Sequence, residues 1–140
     1  MFERGGEGAH EATAEAGGPV ALGELVAEVR ELVAALDVAG LPDSPAVQAW
    51  SHFAELERLA ANAVLLLARR AADAGDWKAA GYRNASAWMA AQQGGSVGIA
   101  RSRLRASRRV ADTATGDAVR AGDLSAPQAE VIADAARVTP

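Results

Sequence analysis

The chain has 140 residues, 14 Lys and Arg against 18 Asp and Glu, and a formal net charge of -4. That is enough for one domain with a real core, and half of the residues are hydrophobic although only 4% are aromatic. The absence of cysteine excludes disulfides, thiolate metal sites and cysteine nucleophiles.

Abundant alanine and the scarcity of β-branched runs favour helix, so the expected fold is all-α. Residues 1 to 18 are rich in Gly, Ala and Glu without apolar periodicity, which predicts a disordered acidic tail. The remainder, 19 to 140, reads as a helical domain. The first helix is expected over about Val20 to Leu36, where Leu22, Leu25, Val26, Val29, Leu32, Val33 and Leu36 share one face. Ser44-Pro45 is expected to open a second helix ending near Ala74, with Val47, Trp50, Phe53, Leu56, Leu59, Ala60, Ala63, Leu66 and Leu67 as its buried stripe. Trp77 to Arg83 reads as a connector. Asn84 caps a short third helix to about Gln93, with Trp88 and Met89 inward, and Gly94-Gly95 ends it. Ser96 caps a fourth, about Val97 to Ala111. A break at Thr113 to Gly116 precedes a short fifth helix, Asp117 to Arg120. Ser125 and Gln128 form a capping box for a sixth. The expected architecture is two long amphipathic helices followed by a helix-turn-helix-like group of four short ones.

Charge is unevenly spread along these elements. Between Asp76 and Asp112 there is no acid, yet Lys78, Arg83, Arg101, Arg103, Arg105, Arg108 and Arg109 fall there. A segregation of this kind marks a surface that meets an anion. Arg101, Arg105 and Arg108 share one face of the fourth helix, Arg109 extends it sideways and Arg103 lies further round. Val97, Ala100, Leu104, Ser107 and Ala111 form the opposite stripe, suited to packing. The short helix, the Gly-Gly-Ser turn and the basic helix have the layout of a helix-turn-helix. Arginine's planar fork suits phosphate, or guanine O6 and N7. Ser96, Ser102 and Ser107 are placed to add neutral hydrogen bonds. Two other readings stand beside nucleic-acid contact: pairing with the chain's own acids, and a solvated face whose long side chains cover neighbours.

Nothing points to catalysis. His10 and His52 belong to no metal-ligand spacing, Asp73 and Asp76 read as a solvated helix end, and Gly94-Gly95-Ser96 follows no strand. Trp77 and Trp88 read as packing residues. No cofactor and no enzymatic activity are expected. No leader pattern is evident, and the longest apolar run, Ala60 to Ala68, is interrupted by Asn62 and followed by Arg69 and Arg70. A cytoplasmic protein without membrane contact is expected.

Three separated motifs sharpen this reading: Gly81-Tyr-Arg-Asn-Ala-Ser-Ala-Trp-Met-Ala, the arginine run Arg101 to Val110, and Ala121-Gly-Asp-Leu-Ser-Ala-Pro-Gln-Ala-Glu-Val-Ile. Their order and spacing resemble domain-of-unknown-function family two hundred and twenty-two, the helical domain of actinobacterial 13E12-type repeat proteins. Asn84 stands where that family usually has Ser, which keeps the capping chemistry. In that family the domain commonly precedes a His-Asn-His (HNH) nuclease. The resemblance therefore implies a role beside DNA cleavage, in recognising or positioning the target. The sequence stops at Pro140 with no segment for such a nuclease, so a chain truncated at its C-terminal end is expected. The resulting expectation is a non-enzymatic DNA-binding module. Its phosphate contacts would be Arg101, Arg105, Arg108 and Arg109, with Arg103 and Arg83 secondary. The alternative is a helical interaction or dimerisation module, a homodimer formed through the long helices.

Overall fold

A computed structural model describes residues 18–138. The expected disordered tail lies outside these residues except for Gly18. The described residues form seven helices and no strand, so the fold is all-α. They are α1 (Pro19–Ala34), α2 (Asp43–Ala74), α3 (Asp76–Ala79), α4 (Ala85–Gln93), α5 (Val97–Val110), α6 (Ala114–Ala121) and α7 (Ala126–Val138). Only α2, at 32 residues, is long; α1 has 16, close to the 14 of α5 and 13 of α7. The expected arrangement of two long helices followed by four short ones is therefore not confirmed among the described residues. The chain divides into two compact units, the first ending at Ala46 and the second beginning at Val47, inside α2.

In the first unit, α1 starts with proline in its first turn, where the missing N–H is harmless. Its last turn is closed by Ala35 and Leu36, whose N–H groups donate to Glu31 and Val33 carbonyls. The apolar stripe is present, but Leu22, Leu25, Val26, Leu32 and Val33 are all exposed. Helix α2 begins at Asp43, one residue before the expected Ser44 cap.

In the second unit, the stripe expected to bury α2 does not do so. Val47, Trp50, Leu56, Leu59, Ala60, Ala63 and Leu67 are exposed, and Phe53 and Leu66 half-buried. The packed face carries Asn62, Leu65, Ala68 and Ala72. The cause is that α2 is apolar on two sides, so a helical period fits either. The side that packs is the one whose small residues allow close approach. Leu65 is fully buried among Ala106 and Val110 of α5, Val119 of α6, and Ala126, Ala129 and Ala133 of α7.

The expected connector contains α3, a single turn pinned by Trp77 Nε1, which donates to the Ala72 carbonyl at 2.9 Å. Trp77 is half-buried, with Lys78 Nζ 5.3 Å from its ring centre. The caps read from sequence are present: Asn84 Oδ1 accepts from Ala87 N–H at 2.8 Å and Ser96 Oγ from Ile99 N–H at 3.1 Å. Ser125 and Gln128 exchange hydrogen bonds reciprocally, at 2.8 and 3.3 Å. Helix α6 starts earlier than expected. Thr113 is its cap rather than part of a break, and buried Gly116 passes so close to the Val110 and Ala111 carbonyls that a Cβ would strike backbone.

Candidate nucleic-acid interface

Helix α5 is positioned from both ends and one side. At its start, the Gly94 backbone is left-handed (φ 66°), and Gly95 N–H donates to the Ala90 carbonyl at 3.0 Å. This fixes the turn out of α4 before Ser96 caps α5. Along its length, Ala100, Ala106, Ser107 and Val110 are buried. The helix packs against α4, α6 and α7. Ser107 is fully buried, and its Oγ accepts from the Arg69 backbone N–H at 3.1 Å. Ser107 is therefore not free to contact a ligand as the sequence suggested, whereas the capping Ser96 is exposed and its O–H is still available to donate.

The outward face carries Arg101, Arg105, Arg108 and Arg109, all exposed. They surround a shallow depression of about 400 Å³ whose apolar floor is Leu104. Two of the four have acidic partners: Arg108 donates to Asp73 Oδ1 at 3.2 Å, and Arg105 Nε lies 3.8 Å from Asp134 Oδ1. Arg101 and Arg109 make no ion pair among the described residues. Both pairs are about half exposed, where an ion pair contributes roughly 0–1 kcal/mol, so either arginine can exchange its carboxylate for a phosphate readily.

The two arginines expected as secondary contacts are placed elsewhere. Arg103 sits at the centre of the buried side of α5, between Ala100 and Ala106-Ser107, and its Nε is buried without a partner. Arg83 is exposed just before the Asn84 cap and does not border the depression. Sequence reasoning also missed the two acids. Asp73 lies in the last turn of α2 and reaches Arg108 rather than lying free in solvent, and Asp134 stands one turn before the end of α7. No sequence signal marks Asp134, because its partner is brought by packing and not by local spacing.

Among the described residues no group of His, Cys, Asp or Glu is arranged to hold a metal ion. No described helix is long and apolar enough to cross a membrane. A family model described as a domain of unknown function, DUF222, matches residues 48–140. No curated protein and no solved structure matches the chain.

Proposed function

Because the chain belongs to the DUF222 family, whose function is unknown, we propose from the site itself that it is a non-enzymatic helical module that holds DNA. The outward face of α5 lies along the phosphate backbone. The observation that carries this reading is the convergence of Arg101, Arg105, Arg108 and Arg109 on one depression of a helix that contains no acid. The α4–turn–α5 layout supports a duplex as the ligand, since the second helix of such a pair enters the major groove. The family resemblance supports a second step, in which the module presents DNA to an HNH nuclease domain that does the cutting.

Neutralising four phosphates gives a slope of log affinity against log salt of about -3.6. Fluorescence anisotropy on duplex DNA at several salt concentrations measures it. The variant Arg101→Ala/Arg105→Ala/Arg108→Ala is expected to flatten the slope to about -0.9. Arg103→Ala, on the inward side, is expected to leave it unchanged. Absent or salt-independent binding, or a triple variant that binds like the parent, defeats the proposal. An interaction module is the other reading, favoured by the exposed apolar faces of α1 and α2.

A further inference from the structure

Helix α2 is apolar on both sides, and only one side is used. Opposite Leu65, the side chains of Leu56, Leu59, Val64 and Leu67 are 40%, 50%, 37% and 61% exposed.

The Val64 and Leu67 edge of that uncovered side is one wall of a groove, which Leu56 and Leu59 do not line. At one end Val64 and Leu67 face Trp88 and Met89 of α4 across about 210 Å³. At the other, Ala54 and Ala61 face Ile99 and Pro127 across about 660 Å³. Val64, Gln93 and Arg103 border both parts, so the two are continuous. From Ala54 to Ala71 the wall extends about 26 Å at the helical rise. Arg103 stands midway with its Nε buried and unpartnered. The groove is thus apolar at its Trp88 end and mixed at the other, where Glu57, Arg58, Gln93, Ser96 and Ser125 also line it, and Arg103 Nε between the two lacks an acceptor. Such a site takes an amphipathic helix.

The chain itself carries a helix of this description. Helix α1 has 16 residues, about 24 Å. Leu22, Leu25, Val26, Leu32 and Val33 are exposed along one stripe, and Glu28 lies on its flank, three and four residues from Leu25 and Leu32. Its length fits the groove, its apolar stripe suits the part lined by Val64, Leu67, Trp88 and Met89, and Glu28 supplies an acceptor for Arg103.

We propose that the groove receives helix α1 of a second copy of the chain, stripe inward, with Glu28 accepting from Arg103. Two copies exchange helices about a two-fold axis. Each interface joins unlike surfaces, a helix from one copy and a groove from the other. This surface is separate from the arginine depression, so it stands or falls independently of DNA binding.

Sedimentation velocity on the full chain tests it. The parent is expected at twice 14.3 kDa. Leu25→Glu in α1 and Leu67→Glu in the groove replace residues exposed in the single chain, so each is expected to keep its helical circular dichroism. Each is expected to weaken self-association at least tenfold. Mixing the two variants is expected to recover association, because one of the two exchanged interfaces then has both native surfaces. Glu28→Ala and Arg103→Ala are expected to weaken the dimer alike, with the double variant no worse than either. A monomeric parent at about 100 µM, dimers indifferent to Leu25→Glu and Leu67→Glu, or no recovery on mixing overturns the proposal. Additive effects at Glu28 and Arg103 overturn their pairing.

Discussion

At the scale of single residues, Asn62 is the polar group on which the second unit depends. It is 4% exposed, and its Nδ2 donates to the carbonyls of Val119 and Leu124, both at 3.1 Å. Those carbonyls lie in the last turn of α6, where Val119 also accepts from the Gly122 N–H at 3.1 Å, and in the turn before α7. One side chain therefore ties α2 to the α6–α7 junction. Two net hydrogen bonds at about 1–1.5 kcal/mol each predict that Asn62→Ala lowers stability by roughly 2–3 kcal/mol, measured by urea unfolding. Asn62→Asp is expected to be worse, because it sets a buried carboxylate against two carbonyl oxygens. An unchanged midpoint for either variant contradicts this role. The sequence does mark the residue, as the polar interruption in the run Ala60 to Ala68. What it does not show is which acceptors lie across from it, since both belong to segments about 60 positions away.

At the scale of elements, what was legible was local and what was not was tertiary. The caps at Asn84, Ser96 and Ser125 are written in the few residues around each, so the starts of α4, α5 and α7 could be read directly. The buried side of α2 could not, because Leu56, Leu59 and Leu67 make as good a stripe as Leu65, Ala68 and Ala72. Choosing between them takes knowledge of the alanines on α5 and α7. The same limit explains Arg103, whose charge suggested an outward position while its turn of α5 faces in. The outward arginines were legible because nothing on their side of the helix competes with them. Ser96 joins the two kinds of information, since its cap is local but the helix it starts carries the candidate interface. Ser96→Ala is expected to cost about 1 kcal/mol. In a domain of this size that is a fall of roughly 4–8 °C in Tm by calorimetry. Ser96→Asp, which keeps an acceptor and adds charge complementary to the helix N-terminus, is expected to hold Tm near the parent. A Tm that does not fall in the alanine variant shows that packing alone fixes the start of α5.

For the molecule as a whole, the central electrostatic fact is an overall charge of -4 set against a local cluster of four arginines. Under the function proposed above, DNA approaching the chain would meet net repulsion at long range and attraction near α5. Two of the four cations are paired with Asp73 and Asp134, which would compete with a bound phosphate for the same guanidinium groups. Removing those competitors should therefore strengthen binding although no contact to DNA is added. Asp73→Asn and Asp134→Asn each release one arginine and raise the net charge by one unit. An exposed ion pair is worth roughly 0–1 kcal/mol, so each variant is expected to tighten duplex binding by up to about fivefold. The gain should shrink as salt rises, because the Debye length falls from about 10 Å at 0.1 M to about 3 Å at 1 M. Anisotropy titrations of parent and variants across that range provide the comparison. An equal gain from neutralising a distant acid such as Glu55 would mean that only net charge matters. A gain confined to Asp73 and Asp134 would locate the contact on the outward face of α5, because among the described residues those are the two acids paired with its arginines.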